Sequence, residues 1–182
     1  MSDRSVIETA RLRIVPFDEE HLSERYVGWL RDPEVVRFSD QRYRTHTLAS
    51  CRDYLRSFDG TPHSFWAVIA RDPALGHVGN MNAYLDERSS VADVGILIGE
   101  RAVWGGGYGT EAWIAVLRHL LQARGVRKVT AGTLSINHGM RKIMERSGME
   151  PDGVRAGQYL FEGSPVDIVH GAAFADRWRA PR

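Results

Sequence analysis

Apolar and polar residues alternate through ETARLRIVPF (residues 8–17), with Leu12, Ile14 and Pro16 on one side. A period of two predicts a strand with one buried face. The period then lengthens. Leu22, Tyr26, Trp29 and Leu30 fall on one face of a helix. Asp18 suits that helix as N-cap, with Glu19 and Glu20 in the first turn, and Asp32-Pro33 ends it. Residues 31–46 read as a loop or short helix. A second helix is predicted over 47–58, capped by Thr47, with Leu48, Tyr54, Leu55 and Phe58 inward.

Three apolar runs follow at short spacing: SFWAVIA (64–70), HVGNMNAYL (77–85) and VADVGILIG (91–99), parted by turns at 71–76 and 86–90. They predict an antiparallel meander. A helix over 110–124 places Trp113, Val116, Leu117, Leu120 and Leu121 on its buried side, and Gly125 closes it. A strand at 127–134, a helix at 137–146 and two strands near 153–162 and 166–174 complete the pattern. The expected fold is α/β, a single domain over residues 1–182. Its mixed central sheet has about seven strands flanked by helices, and it is not regularly doubly wound.

Composition narrows the classes. The chain has 182 residues, 43% hydrophobic and 26% charged, with a net charge of +1. That balance argues against a nucleic-acid partner, which usually demands a basic excess. No apolar run approaches the ~18 residues of a membrane span. Cys51 is the one cysteine, so no internal disulfide forms, and a cytoplasmic, reducing location is expected. The seven histidines show no metal-binding spacing, so no metal is expected.

The segment WGGGYGTEA (104–112) opens the 110–124 helix with Gly105, Gly106, Gly107 and Gly109. Backbone N–H groups at a helix N-terminus are unpaired donors, and glycines let an anion approach them. A nucleotide P-loop needs Gly-Lys-Ser/Thr, and Thr110-Glu111 follow Gly109 instead. GYGTEA fits the dinucleotide pattern G-x-G-x-x-A, but residues 100–104 separate it from its strand and the next strand ends without a carboxylate. A tight strand-to-helix turn accounts for one or two of the glycines.

Taken together, ETARLRIVPF, ADVGILIG, WGGGYGTEA and INHGMRKIMERSGM resemble the GNAT family of N-acetyltransferases in order and spacing. The likeness is greatest to the branch of ribosomal-protein alanine and amino-sugar acetyltransferases. It implies acetyl-CoA as acyl donor, lying where strands 91–99 and 127–134 splay apart. It implies backbone from Leu97 and Ile98 to the pantetheine and thioester. The diphosphate falls to the amides of Gly106, Gly107, Gly109 and Thr110, with Tyr108 beside it. Asn137 then binds the pantetheine arm and Lys142 the ribose phosphate.

The reaction it implies is direct attack of an amine on the thioester. Asp93 is the candidate base, with His77 and Tyr84 behind it. A free aspartate near pKa ~3.9 is a poor base for a lysine-like amine near ~10.4, so burial or a bridging water is required. Met144 stands where many family members carry a tyrosine acid and Met140 where serine or alanine is frequent; either Tyr159 or a water protonates the thiolate, or no group does, and no acid is assigned. Arg42 and Arg44, in RFSDQRYRTH (37–46), are expected to bind an anionic small-molecule acceptor such as a nucleotide-linked amino sugar. A protein N-terminus is the alternative acceptor, a non-catalytic acyl-CoA sensor the alternative class, and a homodimer is left open.

Overall fold

The computed structural model describes residues 5–181. Eight strands form one sheet in the order β1-β2-β3-β4-β5-β6-β8-β7. They are β1 (Ile7–Glu8), β2 (Leu12–Pro16), β3 (Ser64–Ala70), β4 (His77–Asp86), β5 (Val91–Ile98), β6 (Lys128–Leu134), β7 (Glu150–Phe161) and β8 (Ser164–Phe174). The strand beyond the expected seven comes from a turn at 9–11, which folds Ile7–Glu8 back on Ile14 and Arg13.

Four α-helices cover the two faces: α1 (Glu24–Arg31), α2 (Leu48–Arg56), α3 (Tyr108–Arg118) and α4 (His138–Arg146). On one face Tyr26, Val27, Trp29, Leu30 and Cys51 of α1 and α2 pack with Phe17, Phe58 and Phe65. On the other, Trp113, Val116 and Leu117 of α3 pack with Leu12, Ile14, Trp66, Val68 and Met81. β3 is therefore covered on both sides, which explains its unbroken apolar run.

Three helix boundaries differ from the sequence reading. Asp18 caps only a 3-10 turn, Glu19–His21, while the Ser23 hydroxyl accepts from the Tyr26 amide and caps α1. α3 begins two residues early, at Tyr108 with Gly107 as N-cap, because glycine tolerates the left-handed φ of +82° there. Its last turn, His119–Ala123, is π-helical.

One interruption positions the site. β5 and β6 run parallel, yet pair only at Val91↔Lys128, Ala92↔Val129 and Asp93↔Thr130. Beyond Asp93 the strands part. β5 stays paired to β4 along its length, and β6 to β8.

Candidate active site

Gly99 donates to the Val78 carbonyl, and the β4–β5 register is unbroken from there to Val91. Antiparallel alternation therefore turns the peptide groups of Leu97 toward Asn80, and those of Ile96 and Ile98 toward the gap beside β6. Ile96, not Leu97, shares the gap edge with Ile98. The Ile98 carbonyl accepts from the Trp104 indole at 2.9 Å, which leaves its N–H facing the gap.

The glycine loop closes the wide end of the gap. The Gly106 amide donates to the Val103 carbonyl at 3.2 Å, so it is spent inside the loop. The first bond of α3 runs from Glu111 N–H to the Gly107 carbonyl at 3.0 Å. Among the described residues nothing accepts from the amides of Gly107, Tyr108, Gly109 or Thr110. These are the orphan donors of a helix start, reinforced by the helix dipole. A Cβ on Gly109 would lie 3.1 Å from Ile143 Cδ1 and 3.4 Å from Ile98 Cγ1, so this glycine allows α3 to pack close to β5 and α4.

A clamp from the far edge of the sheet holds the loop. The Glu111 carboxylate accepts from Thr9 Oγ1 at 2.6 Å, Arg11 N at 2.9 Å and Arg11 Nε at 2.6 Å. Arg11 also donates to the Gly106 carbonyl at 2.9 Å, and its guanidinium lies 4.3 Å from the Tyr108 ring centre. Burial alone would raise the Glu111 pKa; the Thr9 and Arg11 bonds outweigh it and hold the carboxyl below the usual range.

The opposite face of β5 floors a cleft of about 310 Å³ between α1, α2 and the 39–46 loop. Its walls include Tyr26, Gln41, Arg44, Ser50, Tyr54, Asn80 and Asn82, with Gly95, Ile96 and Leu97 beneath. A Cβ on Gly95 would meet Asn82 Oδ1 at 2.7 Å, so the missing side chain makes room for that amide. Burial holds the Tyr26 and Tyr54 phenols well above their usual pKa, leaving both as neutral donors. Burial likewise pushes the Cys51 thiol up, which argues against a thiolate nucleophile.

The family model for the acetyltransferase (GNAT) domain matches residues 11–150. The chain belongs to the GNAT acetyltransferases. GNAT structures share its fold: an acetyltransferase from Bacillus anthracis superposes with TM-score 0.80 at 18% identity, over 95% of this chain and all (100%) of that one. RimJ of Mycobacterium smegmatis, solved with CoA-disulfide, gives TM-score 0.80 at 14% identity, over 95% of this chain and 88% of that one. Among curated relatives, the FsC-acetyl coenzyme A-N(2)-transacetylase of Aspergillus fumigatus is 27% identical over 159 residues, 79% of this chain. The chain spans 64% of that relative's length.

Within this GNAT fold the remaining candidates separate. Asp93 is exposed at the last paired position before the gap, and its Oδ2 accepts from Thr130 Oγ1 at 2.7 Å. His77 lies outside the cleft, in an aromatic box of Phe17, His21, Tyr26 and Trp29. Burial lowers its pKa to about 4, which makes it a poor base at neutral pH. Tyr84 bonds the Tyr54 hydroxyl at 2.9 Å. Asn137 caps α4 by accepting from Met140 N–H at 3.1 Å, and its amide donates to Thr133 Oγ1 at 3.0 Å. Lys142 is exposed on α4. Met144 is core: a Cβ on Gly171 would come within 2.6 Å of its Cε. Met140 packs partly buried against the same core. Among the described residues no helix is long and apolar enough to cross a membrane, and no cluster of His, Cys, Asp and Glu suits a metal.

Arg42 and Arg44 together line a second pocket beside the cleft, of about 410 Å³, and Arg42 also braces the loop. Its guanidinium lies 4.5 Å from the Phe161 ring centre, bonds the Tyr43 hydroxyl and donates to the Arg37 carbonyl at 2.8 Å. Tyr159 joins it by donating to Asp40 at 2.8 Å. This side chain pins the 37–43 loop to the β7–β8 hairpin and is absent from the cleft's lining, whereas Arg44 is part of it. Arg42→Ala should lower the melting midpoint by ~2–6 °C, as loss of a cation–π contact and its hydrogen bonds costs about 1–2 kcal/mol; a thermal scan checks it.

Sequence reasoning missed Arg11, Asn80 and Asn82. The asparagines left a signal: two amides two residues apart inside the apolar run HVGNMNAYL. A strand interior disfavours asparagine unless something polar faces it.

Proposed function

We propose that the chain transfers an acetyl group from acetyl-CoA to a primary amine by direct attack on the thioester. The observation that carries this reading is the set of unpartnered amides at Gly107, Tyr108, Gly109 and Thr110, opening onto the gap between β5 and β6. The amides suit a diphosphate. The gap-facing peptide groups of Ile96 and Ile98 suit a strand-like pantetheine, and an N–H aimed at the thioester oxygen stabilises the tetrahedral oxyanion. Asn137 and Lys142 of α4 would then serve the pantetheine arm and the ribose phosphate. Asp93, exposed at the fork, attracts the acceptor's ammonium but lacks the burial that a direct base requires.

The acceptor enters from the cleft. Among the described residues Arg44 is its one formal cation, and no carboxylate lines it. A cleft so lined favours an amine that also carries a phosphate or carboxylate, such as a nucleotide-linked amino sugar. The relative named as an N(2)-transacetylase supports nitrogen as the acceptor atom. RimL, a ribosomal L7/L12 alpha-N-protein acetyltransferase whose structure shares this fold, keeps a protein N-terminus as the second reading.

The test offers acetyl-CoA with a UDP-amino sugar, a small carboxylated amine or a peptide bearing a free N-terminus, and follows thiol release. Arg44→Glu should raise the acceptor KM about tenfold or more for a phosphate-bearing amine, since attraction becomes repulsion, with the acetyl-CoA KM unchanged. Equal KM values in both enzymes retire the anionic acceptor. CoA binding without turnover on any amine favours the sensor.

A further inference from the structure

The pocket of about 410 Å³ beside the acceptor cleft shares Leu30, Arg44, Thr45 and His46 with it. Arg31, Arg42 and Thr47 line that pocket and not the cleft. Chain geometry brings these groups together. α1 ends at Arg31, ahead of Asp32-Pro33, and the 39–46 loop returns to it, so that Arg31 Nε donates to the His46 carbonyl at 2.8 Å. Three arginines thus line one pocket, and among the described residues no carboxylate does.

Their charge is left largely uncancelled. Among the described residues the Arg44 side chain, which is exposed, has no hydrogen bond and no ion pair. The Arg42 guanidinium bonds neutral groups, the Arg37 carbonyl and the Tyr43 hydroxyl, and Asp40 is linked to it through the Tyr159 hydroxyl. Arg31 pairs with Glu24 at 3.9 Å, where both side chains are more than half exposed and water screens the pair. Thr47 Oγ1 accepts from the Ser50 amide at 3.1 Å, so its own O–H is left to donate. Leu30 and Val36, both buried, add an apolar wall, beside which charge is screened less than in open water.

We propose that this pocket is a phosphate subsite: the acceptor is a phosphorylated amine, its phosphate held by Arg31 and Arg44 in the field of Arg42, its amine reaching past Arg44 to the β5 floor of the cleft. The inference rests on the acetyl-transfer reading above and names its substrate class. A phosphate carries close to two negative charges at neutral pH and a carboxylate one, so three uncancelled guanidiniums favour the phosphate. The planar fork of arginine also meets phosphate oxygens in pairs. Amine and phosphate occupy adjoining chambers, so a spacer such as a sugar ring parts them. A phosphate monoester of an amino sugar and a nucleoside-diphosphate amino sugar both supply one.

Isotope-labelled protein is titrated with CoA and, once saturated, with inorganic phosphate. CoA should shift the amides of Gly107 and Gly109; unmoved glycines overturn the acetyl-CoA site and this inference with it. Phosphate should then shift the side-chain N–H resonances of Arg31 and Arg44 saturably, and bind about tenfold more weakly to Arg31→Ala, which has lost one charge-assisted contact. Shifted glycines beside unmoved arginines overturn the phosphate subsite alone. In turnover with acetyl-CoA, an amino sugar is supplied free, as its phosphate monoester and as its UDP conjugate. One phosphorylated form should exceed the free sugar in kcat/KM by about 100-fold or more, and which one leads separates monoester from nucleotide. An equal or greater kcat/KM for the free sugar, or for a peptide N-terminus, overturns the proposal. Arg31→Ala also releases the His46 carbonyl, so its readout is a ratio. The preference for the phosphorylated form should fall about tenfold, whereas a merely structural defect lowers both substrates alike and leaves the ratio unchanged, which overturns the assignment.

Discussion

Glu111→Gln should raise the KM for acetyl-CoA about tenfold, change kcat by less than about twofold, and lower the melting midpoint by ~3–10 °C. The carboxylate sits with 19% of its side chain exposed and gathers three short bonds from the turn at 9–11. Hydrogen bonds to a charged group are worth about 1.5–3 kcal/mol, roughly twice neutral ones. Glutamine keeps the shape and one acceptor oxygen but loses the charge and offers an amide where an acceptor was. Arg11 is then released from Glu111, and with it the Gly106 carbonyl and the Tyr108 ring that it braces. The loop that presents the free amides becomes mobile, so binding an anion must first order it, and that ordering is charged to KM.

The same residue sets an acid limit on the fold. Its folded-state pKa is depressed, so its stabilisation is fully present above the unfolded-state value and disappears as pH falls through the folded-state value. His77 acts earlier. Its folded-state pKa is near 4 against an ordinary 6.5, so the unfolded chain takes up the proton first and stability declines as pH drops from about 6.5 toward 4. The wild-type melting midpoint should fall across that window, and the profile of Glu111→Gln should become flatter than that of wild type from about pH 4.5 downward.

Much of the frame was legible because its cause is local. Period two marked β2, apolar runs parted by turns marked β3, β4 and β5, and the apolar stripe of α3 fell on Trp113, Val116, Leu117, Leu120 and Leu121, all of them buried. The gap between β5 and β6 was expected only through family resemblance, since nothing in either strand's own pattern says that pairing stops after Asp93. Direction of peptide groups was out of reach for the same reason. Leu97 and Ile98 look alike in VADVGILIG, and only the register with β4 turns one inward and the other toward the gap. The stacking of Arg42 was out of reach because charge in a loop does not reveal what it stacks on; Phe161 lies 119 positions away. Arg11 was invisible as a loop brace because its partner Glu111 is 100 residues distant. Long-range pairs of this kind are set by topology, and no spacing rule along the chain carries them.

Thr110→Glu should weaken CoA binding by about 100-fold or more, while leaving the free protein as stable as wild type or slightly more so. Thr110 is the third residue of α3 after the Gly107 cap. An acidic side chain there complements the helix dipole by about 0.3–1 kcal/mol and can reach back to the N-cap amide as in a capping box. The new carboxylate thus occupies the donors that a diphosphate needs and adds like-charge repulsion, worth about 1 kcal/mol in water and ~4 kcal/mol at partial burial. A loss of 100-fold corresponds to ~2.7 kcal/mol, which these effects together supply. Calorimetric titration with CoA and a thermal scan without it read the two quantities separately. Unimpaired CoA binding by the stable variant would show that the start of α3 does not hold the diphosphate. A collapse of the melting midpoint would instead show that Thr110 serves the packing of α3. Stability kept and affinity lost is the outcome that only an anion site at these four amides produces.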